Sequence, residues 1–293
     1  VRILITGAGG QLGSALSAVF PQALALDRKG LDLADLEAVV KLMQSYAPQL
    51  ILNAAAYTAV DKAEDESEVA DLVNGRALEV LGGQALAIKA LLVHWSTDYV
   101  FGGSHDNHGL AYRESDPTDP VNCYGASKLA GEKALTASGA DFLIFRCSWV
   151  YGIEGQNFLK TMLRLGRQRD EVSVVADQWG VPTSASWLAS SIHHLLHQYG
   201  LDQLKVDRGL YHWVPAGETN WAAYASYVFE CAGMPVKVKP IRSDEWPTPA
   251  RRPLNSRLDC TKAIEHWGLE RPDWRVDVHH CVKRACEGSY VSG

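Results

Sequence analysis

Three glycines at fixed spacing, Gly7-x-x-Gly10-x-x-Gly13, follow directly on a short β-rich run, residues 1–6, and open a helix-period stretch carrying Leu12, Leu16, Val19 and Phe20. The position gives the pattern its meaning. Glycines at a strand-to-helix junction allow a tight turn, admit backbone N–H groups close to a pyrophosphate, and let helix pack on strand, while the helix N-terminus favours negative charge. A chain that begins this way is strongly constrained toward a dinucleotide-binding α/β fold. The alternative is a glycine-rich turn with no ligand. Asp27 ends the second apolar run about 20 residues on, where a carboxylate can accept from an adenosine ribose. Arg28 and Lys29 follow at once and suit a 2′-phosphate, or else a solvated turn, so NADH and NADPH both stay open.

The apolar pattern repeats through the first half. Strand-like runs at residues 23–27, 49–53, 91–96 and 141–146 alternate with helical stretches at 32–47, 67–90 and 122–137. Strands apolar on both faces and separated by helices predict a Rossmann-like, doubly wound parallel sheet. After about residue 151 prolines punctuate short elements, and seven of the nine tryptophans lie from Trp179 onward. Residues 1–151 therefore read as the dinucleotide-binding domain. Residues 152–293 read as a smaller, irregular, mainly substrate-binding domain, with 185–213 returning to the sheet.

Charge and composition exclude several other classes. Lys and Arg total 28 against 34 Asp and Glu, a net charge of −6 without long basic runs, which argues against nucleic acid or an anionic membrane as partner. No apolar stretch is long enough to span a bilayer, and residues 1–6 do not resemble a signal peptide. Six scattered cysteines without a C-x-x-C pair read as reduced thiols of a cytoplasmic protein. The His193-His194-x-x-His197 run lacks the glutamate of a zinc helix, and the His279-His280-Cys281 segment with Cys286 fits a helix pattern. Neither is read as a metal site.

Tyr124-Gly-Ala-Ser-Lys128 is a Tyr-x-x-x-Lys pattern. On a helix the two side chains share one face, about 6 Å apart along the axis. A tyrosine with an ordinary pKa near 10 must exchange a proton near neutrality, and a shift of about 3 units corresponds to roughly 4 kcal/mol. A partly buried ammonium supplies energy of that order. It can also bind ribose hydroxyls. Ser96-Thr97-Asp98-Tyr99 closes the preceding strand at a carboxyl end, where ligands collect in open α/β sheets.

Together the glycine loop, Asn53-Ala-Ala-Ala-Tyr-Thr58, Ser96-Thr-Asp-Tyr-Val-Phe101 and Tyr124-x-x-x-Lys128 resemble an extended short-chain dehydrogenase/reductase. Ser148-Trp-Val-Tyr-Gly152, Asp177-Gln-Trp-Gly-Val-Pro-Thr183, Gly209-Leu-Tyr-His212 and Arg252-Pro-x-Asn-Ser-Arg-Leu258 narrow the resemblance to reductases of 4-keto nucleotide sugars. The resemblance implies reduction of dTDP-4-dehydro-L-rhamnose to dTDP-L-rhamnose by NADPH or NADH, within nucleotide-sugar and cell-envelope polysaccharide biosynthesis. It makes Tyr124 the proton donor, Lys128 its activator and Thr97 the hydroxyl that orients the keto oxygen. Gly7, Gly10, Gln11, Leu12, Gly13, Asp27, Arg28, Asp32, Leu33, Ala56, Tyr57 and Thr58, with Tyr124 and Lys128, fall at cofactor positions. Val60, Thr97, Asp98, Tyr99, Trp149 and Arg252 fall on the nucleotide-sugar side. Arg252 and Arg257 face either a diphosphate or a surface ion pair. The remaining tryptophans of the second half are read as core.

Some members of the family bridge a dimer through a metal ion held by glutamates, and the matching positions here are Ala15 and Ser186. Alanine offers a hard cation no oxygen. The expectation is no metal, and a monomer or weak homodimer. Two other functions compete: a nucleotide-sugar dehydratase or epimerase on the same fold, and a non-catalytic subunit resembling the β subunit of methionine adenosyltransferase. Tyr99 stands where a dehydratase's second carboxylate follows the first, and the intact Thr97, Tyr124 and Lys128 favour chemistry.

Overall fold

The computed structural model describes residues 1–103 and 110–287. Six parallel strands form one sheet: β1 (Ile3–Thr6), β2 (Leu24–Leu26), β3 (Leu50–Asn53), β4 (Leu91–Thr97), β5 (Asp141–Cys147) and β10 (Gly209–His212). Their spatial order is β2-β1-β3-β4-β5-β10. The order reverses between β1 and β3, and a crevice opens at their carboxyl ends, the place where open α/β sheets bind ligands.

Strand alternation divides the core in two. Ile3, Ile5, Leu50, Leu52, Leu91 and Val93 face one layer, which holds α1 (Gln11–Val19) and α7 (Ala185–Val206). Leu4, Ile51, Leu92 and Ile144 face the other, with α2 (Leu36–Tyr46), α4 (Ala77–Ile88) and α5 (Cys123–Ala137). With both faces covered, the strands are continuously apolar.

Two helices differ from the sequence expectation, each for a local reason. The stretch 32–47 becomes helical only at Leu36. Asp32 accepts from the Ala34 N–H in a turn, and Asp35 caps the helix by accepting from Ala38. The stretch 67–90 is interrupted: α3 (Ser67–Asp71) passes into a π turn, Leu72–Arg76, before α4 begins. Such turns frequently mark functional sites. This one aims the buried Asn74 at the backbone of Tyr57, where its carboxamide accepts from the Tyr57 N–H at 2.9 Å and donates to its carbonyl at 3.0 Å.

Beyond β5 the elements are short. They comprise β6 (Val150–Tyr151), α6 (Phe158–Gly166), β7 (Glu171–Val175), β8 (Trp179–Gly180) and β9 (Thr183–Ser184). After β10 come β11 (Thr219–Asn220), α8 (Trp221–Cys231), β12 (Lys237–Ile241), α9 (Thr261–Trp267) and α10 (Trp274–Glu287). β7 pairs in parallel with β12, and α6 and α10 pack on α8. A buried ion pair ties α5 to β5: Glu132 accepts from Arg146 at 2.9 and 2.6 Å, and the guanidinium lies over the Phe101 ring. No helix among the described residues is long and apolar enough to cross a membrane.

Candidate active site

The glycine loop is built for close approach. The Gly10 N–H donates to the Gly7 carbonyl at 2.9 Å, and Gly10 caps α1. A Cβ at Gly13 would stand 2.0 Å from the Gly7 carbonyl oxygen and 2.7 Å from Ala8 Cα, both rigid backbone. The helix start therefore lies flat against the turn, and its N–H groups open on the switch-point crevice. This cradle fits a dinucleotide pyrophosphate.

Around the cradle the expected cofactor residues divide. Asp27 accepts from the N–H groups of Lys29 and Gly30, both at 3.0 Å, which fixes its carboxylate beside Gly9. Arg28 pairs with Asp32 at 3.1 Å in an exposed ion pair. The Ala34 N–H and Arg28 hold the Asp32 carboxyl below its ordinary range against a modest desolvation cost. Leu12 and Leu33 are core side chains, so only their backbone is open to a ligand. Ala56, Tyr57 and Thr58 follow β3 on the rim. The Tyr57 hydroxyl donates to Glu66 at 2.6 Å, and that carboxylate, aided by desolvation, pushes the phenol up to about 12. Gln11 reaches across to the second half of the chain, accepting from the Gly152 N–H at 2.9 Å and from Asn157 at 2.8 Å.

Asn122 starts α5 by accepting from the Gly125 N–H at 2.7 Å, and its amide donates to the Arg251 carbonyl. Gly125 lets the helix touch the end of β4, because a Cβ there would lie 2.2 Å from the Tyr99 carbonyl oxygen. This contact sets the Tyr124 ring edge-on to Tyr99, with centroids 5.8 Å apart. The shift runs against the sequence expectation: burial pushes the Tyr124 phenol above its ordinary value, and the Thr97 hydroxyl, not the Lys128 ammonium, opposes it. The Thr97 hydroxyl, which also bonds Asp98 and the Tyr99 N–H, therefore faces Tyr124. Lys128 is 2% exposed, more deeply buried than the sequence implied, because α5 lies directly on the sheet. Its ammonium donates to the Trp95 carbonyl at 2.8 Å and lies 3.0 Å from His94 Nε2. Burial lowers its pKa to about 8, with Cys147 and Glu132 opposing. Two of its three donors point into the protein, which leaves one for the site.

Asp98, 2% exposed, lies 3.2 Å from the Thr97 hydroxyl through Oδ1, and its Oδ2 has no hydrogen-bond partner among the described residues. Burial pushes its carboxyl up to about 7, although Ser256 and Thr97 pull it back. The folded protein keeps this proton to near pH 7, whereas an unfolded chain releases it near 3.8, so stability falls as pH rises between those values. The cost grows by about 1.4 kcal/mol per pH unit over that window. Asp98→Asn is therefore expected to raise the melting temperature at pH 8.5 and to gain less at pH 5. An equal gain at both pH values contradicts this assignment.

Beyond Gly102 opens a cleft of about 1000 Å³, bounded by α6, β7 and the 243–254 segment. Trp149, at φ 47° in the left-handed region, stacks on Trp221 with centroids 3.8 Å apart. Holding a tryptophan in that conformation is a local strain of the kind concentrated at functional sites. Arg252 settles between its two readings. One guanidinium nitrogen pairs with Asp61 at 2.8 Å, while Nη1 has no partner among the described residues and the side chain lines the cleft. Arg257 is occupied by Glu218 and lies over Trp179. One tryptophan corrects the sequence reading. Trp246 lines the cleft and is 61% exposed, whereas Trp221 packs against the core as expected and presents its other side to the cleft. Val60 is half-buried on the rim beside Asp61.

The sequence profile described as RmlD substrate binding domain matches residues 1–286. A dTDP-4-dehydrorhamnose reductase of Burkholderia thailandensis is 42% identical over 97% of this chain and 98% of its own length. That of Escherichia coli K12 is 43% identical over 95% and 96%. The chain belongs to the dTDP-4-dehydrorhamnose reductase family. A Bacillus anthracis dTDP-4-dehydrorhamnose reductase, crystallised in complex with NADP, superposes with a TM-score of 0.87 at 36% identity, covering 97% of each chain.

For a member of the dTDP-4-dehydrorhamnose reductase family, several supporting residues had escaped the sequence reading. Asn74 clamps Tyr57, and Asp61 holds both Arg252 and the Ala250 N–H. Gln178 accepts from the Trp221 indole at 3.1 Å. These partners lie far apart in sequence, so no local pattern announces them. Ala15 packs against the core on α1, and Ser186 is exposed at the start of α7. Among the described residues no three His, Cys, Asp or Glu side chains cluster in a way that could hold a metal ion. His193 packs its ring on Phe20.

Proposed function

We propose that the chain reduces the 4-keto group of dTDP-4-dehydro-L-rhamnose to give dTDP-L-rhamnose, a step in nucleotide-sugar and cell-envelope polysaccharide biosynthesis. The Thr97 and Tyr124 hydroxyls facing each other at the carboxyl end of β4, beside a sheet whose switch point carries the glycine cradle, support this reading. Bound NADPH or NADH supplies the hydride for carbon 4. Thr97 donates to the keto oxygen and orients it, and Tyr124 gives its proton to the developing alkoxide. Lys128 stabilises the phenolate that remains and holds ribose hydroxyls. Val60, Asp98, Tyr99, Trp149 and Arg252 hold the sugar nucleotide, with the unpaired Arg252 nitrogen suited to a diphosphate. In this reading residues 1–151 bind the dinucleotide and 152–293 mainly the substrate. The enzyme works in the cytoplasm as a monomer or weak homodimer, without a metal.

Oxidation of NADPH and NADH against a panel of nucleotide sugars tests the proposal. Turnover is expected with the dTDP-4-keto-6-deoxy sugar and not with 4-hydroxy nucleotide sugars. NADPH is expected to be modestly preferred, because Lys29 and Arg28, the latter shared with Asp32, offer exposed cations worth about 1 kcal/mol to a 2′-phosphate, and salt should erode that preference. Absence of turnover with every sugar would favour the non-catalytic subunit.

A further inference from the structure

We propose that His94, itself held by Asn53 and Thr6, is the positioning residue for Lys128, so that a buried polar row running across the sheet fixes where the ammonium points. The proposal deepens the reductase reading and rests on the role given there to Lys128. Parallel register sets Thr6 opposite Asn53, and Asn53 opposite His94, on the face that otherwise carries Leu4, Ile51 and Leu92. Helix α5 lays Lys128 on the end of the row. His94 Nε2 lies 3.0 Å from Lys128 Nζ, His94 Nδ1 lies 3.0 Å from the Asn53 carboxamide, and the Thr6 hydroxyl bonds that carboxamide in turn. Thr6, Asn53 and His94 are fully buried.

Three polar side chains inside an apolar sheet are costly unless each satisfies the next. Here each does, and the row terminates on Lys128. Burial and the adjacent ammonium both push the His94 imidazole well below its ordinary range, so it stays neutral. A neutral imidazole has one acceptor and one donor. Nε2 accepts from the ammonium and the ring proton then sits on Nδ1, which calls for the Asn53 carboxamide turned by half a turn, its oxygen accepting from Nδ1 and its nitrogen donating to the Thr6 hydroxyl. With His94 and Trp95 taking two donors, one remains for the site. An apolar residue at 94 would leave the buried ammonium short of an acceptor, which favours the neutral amine.

Other groups also bear on Lys128, and none is altered by a change at 94. On α5 it is Glu132, paired with Arg146 of β5. Cys147 lies on β5, and Asp98 follows β4. Asp71, at the end of α3, and Arg76, on the π turn, both on elements packed against α5, form an exposed pair.

The test is the pH profile of kcat and KM for the whole enzyme with NADPH and the dTDP-4-keto-6-deoxy sugar. His94→Leu is expected to move the alkaline limb of kcat to lower pH by about one unit, and to lower kcat at pH 8 by about tenfold with little change in KM. His94→Gln, which restores an acceptor oxygen, should return the limb toward its wild-type position. A folded His94→Leu with the wild-type limb overturns the proposal, as does identical behaviour of the Leu and Gln variants. Should His94→Leu fail to fold by circular dichroism, Asn53→Ala is set against His94→Gln. A lowered limb in Asn53→Ala alone supports the proposal, and matching limbs overturn it. Lys128→Ala separates the two levels. An inactive Lys128→Ala beside an unshifted His94→Leu sinks only the positioning role, whereas an active Lys128→Ala sinks the catalytic reading of the lysine as well.

Discussion

Replacing Tyr124 by phenylalanine is expected to lower kcat by about 10²–10⁴-fold while leaving NADPH affinity within a small factor of wild type. The substitution removes only the hydroxyl. The ring keeps its edge-on contact with Tyr99, and Gly125 keeps α5 against the end of β4. Burial holds the phenol protonated throughout the working range, so it enters the reaction as a donor, and phenylalanine has nothing to donate. Thr97 remains to orient the keto oxygen but has no route to protonate it. Steady-state turnover together with a fluorescence titration of NADPH separates the two effects. A variant that retains more than about a tenth of wild-type kcat would remove Tyr124 from the proton transfer.

Gly13→Ala carries the second large effect, on the cofactor rather than the chemistry. Its Cβ would collide with the Gly7 carbonyl oxygen at 2.0 Å and with Ala8 Cα at 2.7 Å, neither of which can rotate away. Relief requires α1 to lift from the turn, and its N–H groups leave the pyrophosphate with it. Overpacking of this kind typically costs about 1–3 kcal/mol of stability. NADPH should bind at least about tenfold more weakly, since a single displaced charge-assisted hydrogen bond is worth about that much. Gly83→Ala on α4 is the control. Its Cβ meets nothing within 4 Å, so helix propensity should make that variant slightly more stable. Unchanged NADPH affinity in Gly13→Ala would contradict the role of the loop.

The parallel sheet could be read directly because its strands are buried on both faces and so stand out as unbroken apolar runs. Leu4 and Ile5 serve opposite cores although they are neighbours in sequence. The π turn at 72–76 was not legible. It follows from where the Asn74 carboxamide must reach, a tertiary demand that overrides a helical pattern. In the site, Tyr124 and Lys128 announce themselves by helical spacing, and Thr97 by its place at a strand end. His94 reads in sequence as one polar residue in an apolar strand, and its meaning appears only when the register of three strands puts Thr6 and Asn53 beside it. Trp246 departs from the core reading because tryptophan frequency says nothing about which way an indole faces.

The central claim is that hydride is delivered to carbon 4 of the keto sugar. Turnover with NADPH deuterated at the transferring position, followed by NMR of the isolated product, tests it most directly. One deuterium is expected on carbon 4 of the deoxy sugar for each NADPH consumed. Deuterium at another carbon, or a sugar rearranged with no net oxidation of NADPH, as an epimerase would give, would contradict it.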